Sequence, residues 1–154
     1  MKIFGREKPI EVFVDCIRVN QEKQHYVVFL KERTGKRTLP IWIGEFEAQG
    51  IAMVLQQSIN PRPLPWDIYI STVAALGGAI ESVGVTSLTD NVFISEVVLL
   101  ANGKRHRIDA RPSDVIAIAV RAKAPILVDP EVMERAGVVD LETEDDSEAP
   151  AEQK

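Results

Sequence analysis

The sequence predicts an α+β domain built on a mainly antiparallel or mixed sheet. Three observations carry that expectation. Strand-forming segments are joined by hairpin-length turns, apolar helical spacing follows each third strand, and the whole pattern recurs at a constant offset of 67 residues.

Residues 10–20 alternate well enough for a strand, with Val12, Val14 and Cys16 on one face. Residues 25–31, rich in Val, Phe and Tyr, make a second strand. Thr34-Gly35-Lys36 then turns the chain into a third over residues 37–43. Glu45 opens a helix in which Ala48, Ile51, Ala52, Leu55 and Ile59 follow the i, i+3, i+4, i+7 rule. Glu45 and Glu47 suit the positive end of its dipole. Gly50 inside that helix costs about 1 kcal/mol relative to Ala, which marks close packing rather than a break. The run Asn60-Pro61-Arg62-Pro63-Leu64-Pro65 cannot be helical and forms a stiff connector. A second helix follows over residues 66–76 and stops at Gly77-Gly78.

The pattern then restarts. Strands are expected over 79–88, 92–101 and 104–110, and Asn102-Gly103 is the strongest hairpin signal in the chain. A helix is expected over 115–123, with Ser113 as its N-cap, Asp114 in the first turn and Arg121 and Lys123 in the last. Its residues Val115, Ile116, Ile118 and Val120 leave no polar face. It is therefore either sandwiched centrally or buried at a subunit interface, and a homo-oligomer is expected on that ground. A short strand over 126–129 and a short helix over 130–136 close the domain. The reading is two β-β-β-α pseudo-repeats plus a short C-terminal β-α, occupying residues 1–139.

Charge divides the chain at the same place. The total of 18 Lys+Arg against 23 Asp+Glu gives −5, but residues 140–154 hold seven of the acids and a single base. Those residues are read as an acidic disordered tail, and the body before them is close to neutral. Total charge therefore points neither to a strong nucleic-acid magnet nor to a polyanion mimic. One cysteine excludes an internal disulfide, and no Cys/His cluster is spaced for zinc. No apolar run approaches the roughly 20 residues of a membrane span, and residues 1–9 contain no apolar signal core. The expected setting is cytoplasmic, with no membrane partner.

No common catalytic signature is present, so chemistry must come from a less familiar constellation. The unusual segment is Asp109-Ala110-Arg111-Pro112-Ser113-Asp114, which sets two carboxylates and a guanidinium at a strand-to-helix junction. Exposed amides there favour an anion that Arg111 would grip, while two acids suit a divalent cation with retained water. The plainer alternative pairs Asp109 with Arg111 or Arg107 and leaves Asp114 to balance the dipole. Arg62, fixed between two prolines, suits phosphate recognition or an ion pair tying the connector to the body. Asp67 is an N-cap or a third acid. Under the 67-residue offset Glu47 corresponds to Asp114, so the two would face one cleft. The basic run Lys104-Arg105-His106-Arg107 has no surface-aromatic ladder beside it, so stacking on single strands is not indicated.

The stretches Leu39-Pro40-Ile41-Trp42-Ile43-Gly44, Glu47-Ala48, Pro61-Arg62-Pro63-Leu64 and Asp109-Ala110-Arg111-Pro112-Ser113-Asp114, with Ile116-Ala117 and Arg121, resemble the bifunctional nuclease (BFN) domain family. The resemblance covers residues 12–138. It implies a small oligomeric α+β protein of bacterial type, with plant relatives that cleave both DNA and RNA. Phosphodiester hydrolysis on nucleic acid, with Mg²⁺ or Mn²⁺ as the candidate cofactor, follows from that resemblance. Glu47, Asp67, Asp109 and Asp114 are then the candidate catalytic acids, and Arg62, Arg111 and Arg121 the candidate phosphate ligands. The family pattern continues with Thr-His-Asp where this chain reads Pro65-Trp66-Asp67, keeping the acid and losing the histidine. That departure keeps a second reading open: a non-catalytic oligomeric binding module using the Arg/Asp cluster for an anionic ligand or partner.

Overall fold

The expected strands and helices are present in the expected order. The computed structural model describes residues 7–58 and 60–139, and the acidic segment 140–154 lies outside the described residues. The first unit comprises β1 (Ile10–Asn20), β2 (His25–Glu32), β3 (Arg37–Ile43) and α1 (Glu45–Leu55). Helix α2 (Pro65–Ala75) leads to the second unit: β4 (Gly78–Thr89), β5 (Val92–Ala101), β6 (Lys104–Ala110) and α3 (Pro112–Ala122). The chain closes with β7 (Ile126–Val128), α4 (Pro130–Ala136) and β8 (Val138–Val139). Strand β8 has only two residues, too few for any period to register in the sequence.

The strands form one sheet in the order β6-β5-β4-β7-β1-β2-β3-β8. Every pairing is antiparallel except that of β4 with β7, so the class is α+β with a mixed sheet. The repeat is visible in the elements themselves. A shift of 67 residues carries β3 onto β6 and α1 onto α3, end to end. Strand β7 lies between the halves, parallel to β4 and antiparallel to β1, so the two triplets of strands do not pair directly.

Helix α3 fills the centre. Val115, Ile116, Ala117, Ile118 and Ala119 are all buried, packed with Val28, Leu30, Leu39 and Ile41 of the first half and Val83, Val85 and Val97 of the second. Of the two explanations for its missing polar face, central burial within one chain is the one realised. Its apolar surface is used up inside the protomer, so it supplies no argument for an oligomer.

The start of α3 corrects one expectation. Arg111, with extended backbone (φ −68°, ψ 149°), is the N-cap, and Pro112 begins the helix. Ser113 is already inside the first turn, buried, and makes no capping hydrogen bond. Proline's fixed φ suits the first helical position, where a missing N–H costs nothing, and this moves the boundary ahead of the serine. Among the described residues, no helix is long and apolar enough to cross a membrane.

Gly50 has the packing role its place in a helix implied. A Cβ there would collide with the Cζ3–Cη2 edge of Trp66, the second residue of α2. Gly50→Ala should therefore lower stability by about 1–3 kcal/mol through overpacking, although Ala is favoured in a helix by about 1 kcal/mol. Urea denaturation measures the difference, and a more stable variant would show that the indole has room to move.

Candidate functional site

The site is assembled around the indole of Trp66. Proline at position 65 starts α2, which drives the next side chain inward between α1 and α3. One ring face is stacked by Phe46 of α1, with centroids 5.2 Å apart and planes 23° apart. The Arg121 guanidinium lies 4.9 Å from the ring centroid. At the indole edge, Nε1–H donates to Asp114 Oδ1 at 3.1 Å.

Asp114 also receives Arg111. The Arg111 Nε–H donates to Oδ2 at 2.7 Å and an Nη2 hydrogen to Oδ1 at 3.1 Å, a bidentate grip between residues three apart. A second Nη2 hydrogen reaches Glu47 Oε1 at 3.2 Å, joining the start of α1 to the start of α3. The correspondence of Glu47 with Asp114 under the repeat is thus realised as two carboxylates on one arginine. The Arg111 side chain remains 65% exposed, and its Nη1 has no hydrogen bond among the described residues.

On the far side of Trp66 stands a second ion pair. Arg121 Nε lies 3.3 Å from Asp67 Oδ1, and its Nη1 donates to the Ala117 carbonyl at 3.0 Å. Arg121 is only 8% exposed, so its guanidinium is held by protein groups on three sides. Asp67 neither caps from the N-cap position nor joins the first cluster. It sits at the third residue of α2 and accepts the Leu64 N–H at 2.8 Å. Arg62 is exposed, its N–H donating to Asn60 Oδ1 at 3.3 Å, and it lines a small hollow of about 310 Å³ together with Asp67 and Arg121.

Asp109 is placed differently from all of these. Neither Arg107 nor Arg111 pairs with it: Arg107 binds Glu96 at 2.9 Å and Arg111 is committed to Asp114 and Glu47. Asp109 is exposed, has no hydrogen-bond or ion-pair partner among the described residues, and lines an open cleft of about 1020 Å³. The four candidate acids therefore divide. Glu47 and Asp114 share Arg111, Asp109 is close by in the cleft, and Asp67 belongs to the Arg121 pair behind the indole.

The cleft has two walls, and they are the same segments of the two repeats. Gln24-His25-Tyr26 corresponds to Asn91-Val92-Phe93, and Trp42-Ile43-Gly44 corresponds to Asp109-Ala110-Arg111. In the sheet order β2 and β5 are four positions apart, roughly 19 Å in a flat sheet, so the sheet must curl to bring both ends to one cleft. The two turn residues Gln24 and Asn91 match even in backbone conformation, with φ of 51° and 62°. Chemistry has diverged between the walls: where one carries Trp42 and Gly44, the other carries Asp109 and Arg111. Sequence reasoning missed Trp42, Tyr26 and Phe93 as wall residues because only curling of the sheet brings the two repeats face to face.

The donor set does not match a divalent cation. Among the described residues, no group of three or more His, Cys, Asp or Glu side chains is gathered to hold an ion. Three of the four candidate acids, Glu47, Asp114 and Asp67, are paired with guanidinium groups instead. This arrangement shapes the electrostatics. Burial pushes the Asp114 carboxyl up, but hydrogen bonds from Arg111 and Trp66 and the Arg111 charge outweigh it and hold it below the ordinary range. Glu32 behaves likewise: burial raises it, and its bonds and attraction to Arg37 bring it below the ordinary value.

A depressed folded-state pKa adds stability above the unfolded value, and that stability is lost as pH falls through the folded one. Asp114 and Glu32 should both contribute to loss of stability below about pH 4. In Asp114→Asn, melting temperature should fall less steeply from neutral pH to pH 3 than in the wild type. Identical slopes in scanning calorimetry would remove Asp114 from the acid transition.

The Bifunctional nuclease domain matches residues 28–140. An uncharacterized protein of Mycobacterium tuberculosis is 40% identical over 139 residues, which span 90% of this chain and 82% of that protein. Bifunctional nuclease 1 of Oryza sativa subsp. indica is 28% identical over 116 residues, 73% of this chain but only 35% of the rice protein. On the span of the domain match and the identity to the mycobacterial protein, the chain belongs to the bifunctional nuclease domain family.

Proposed function

We propose that this protein is a nuclease that hydrolyses phosphodiester bonds of DNA and RNA in the cleft between its two repeats. The observation that carries the reading is the adjacency of an exposed, unpartnered Asp109 to a braced and exposed Arg111 on one wall of that cleft. Arg111 keeps one amino group free, and bracing by Asp114 and Glu47 fixes the guanidinium without consuming it. In this reading Nη1 of Arg111 donates to a non-bridging phosphate oxygen and stabilises the charge that gathers there. The Asp109 carboxylate takes the proton from the attacking water, or from the ribose 2′-hydroxyl of RNA. The new O–P bond forms as the bond to the leaving oxygen breaks, and that oxygen takes a proton from water. Arg62 would extend phosphate contact along the adjoining surface. Arg121, Asp67 and Glu47 act as positioning residues, through Trp66 and Arg111.

One observation favours the second reading, a binding module without catalysis. Arg111 is flanked by two carboxylates, so its charge is already compensated, and Trp66 cannot serve as the acid or base a histidine could be. The two readings separate in a cleavage assay on single- and double-stranded DNA and RNA, run with and without Mg²⁺ or Mn²⁺. Asp109→Asn should lower turnover by about 10²–10⁴-fold, the loss expected for a general base, while Arg111→Gln raises KM and lowers kcat together. Circular dichroism verifies that both variants fold. Cleavage that persists undiminished in both would trace to a contaminant and sink the catalytic reading. A wild type that binds oligonucleotide but cleaves none of the four substrates would favour the binding module.

A further inference from the structure

Trp42 is 65% exposed, and no aromatic or cationic side chain covers its ring among the described residues. A large aromatic left open to water is informative when it lines a cleft. Here it lines the same cleft as Asp109 and Arg111, at the position that corresponds to Asp109 in the other repeat. The cleft is therefore lined both by an open indole ring and by a guanidinium with an N–H unbonded among the described residues. We propose that the cleft holds one unpaired nucleotide of a single strand, its base stacked on Trp42 and its phosphate on Arg111.

The charge balance selects stacking as the main source of affinity. Glu47, Asp109 and Asp114 surround Arg111, and the body of the chain is close to neutral, so the cleft does not attract a polyanion by its field. Contact with many phosphates is ruled out on that basis, and the aromatic wall must supply what the field does not. A base can stack on Trp42 only after it leaves its own neighbours, which favours single strands over duplex. The basic hairpin has no aromatic ladder beside it, and stacking is not placed there. The aromatics lie on the first repeat and on β5, not beside the basic hairpin residues where a linear reading looks for them.

This inference rests on the nuclease reading of the cleft, and its test is binding, which can fail separately from cleavage. The only other tryptophan, Trp66, is buried, so quenching of indole fluorescence by an oligonucleotide reports on Trp42. A single strand of about twelve nucleotides should quench the wild type, and Trp42→Ala should bind about 5–150-fold more weakly, the loss of one stacked base. Trp42→Phe, which keeps a ring, should recover most of the affinity. A blunt duplex of the same length should bind at least about tenfold more weakly than the single strand, and the salt dependence should match one phosphate on Arg111 and at most one more on Arg62, a log–log slope between about −0.7 and −1.4. Asp109→Asn, which removes one negative charge from the cleft, should still quench and bind at least as tightly as the wild type while losing cleavage. Equal affinity in wild type and Trp42→Ala, absence of quenching, or equal binding of duplex would each overturn the proposal. So would light scattering in which Trp42→Ala breaks up a multimer, because the surface would then be covered by a second copy. Binding and quenching without cleavage would remove the nuclease reading alone. Cleavage with a KM unchanged in Trp42→Ala would remove the stacking reading alone.

Discussion

The seating of one indole, Trp66, governs the arrangement of the whole cluster. Its ring fills the space that Gly50 leaves in α1, carries Phe46 on a face, supports Arg121 and points its N–H at Asp114. Burial of an aromatic of this size contributes several kcal/mol, about 3–5 by the usual cost of truncation to alanine. That energy positions the largely exposed Arg111–Asp114 pair, which would be weak if left to itself, because exposed pairs contribute only about 0–1 kcal/mol. Asp114 owes its orientation to the indole N–H on one side and Arg111 on the other. Polar chemistry at the cleft is thus held in place by an apolar contact behind it.

Much of this was legible in the chain, and for identifiable reasons. Two hairpins declare themselves through Thr34-Gly35-Lys36 and Asn102-Gly103, and the 67-residue offset carries strands onto strands because turns and helix starts recur at the same spacing, even though β3 is half buried and β6 largely exposed. Gly50 announced close packing because a helix accepts its cost only for a reason. The grouping of Glu47 with Asp114 followed from the offset alone. Other features were hidden. Ser113 resembles a cap in any window, but the fixed φ of Pro112 claims the helix start first. Asp67 and Arg121 look like members of the same constellation as Arg111, yet the indole stands between them and the cleft. No local pattern predicts which side of a ring a charge will occupy.

Divergence between the repeats gives the cleft its polarity. A pair of equal walls would present the same groups to a ligand from both sides. Here the matched positions carry Trp42 and Gly44 in one repeat and Asp109 and Arg111 in the other, so one lining segment is apolar and the other is ionic. Gly44 and Arg111 both precede a helix with extended backbone, yet only Arg111 carries a side chain able to reach across to Glu47. Duplication of a unit supplied the enclosure, and substitution at matched positions supplied the asymmetry a site requires.

Strand β7 has a consequence for how the chain reaches this state. It is synthesised after both repeats, and it is the strand through which β1 and β4 are joined in the sheet. Each triplet can form its own hairpins as it leaves the ribosome, but the seam between them stays open until Ile126–Val128 arrives. Such long-range closure is slow relative to local pairing, and it leaves two unpaired strand edges exposed in the meantime. Joining of the two halves is therefore gated by a strand translated after both repeats, with three residues acting as the fastener.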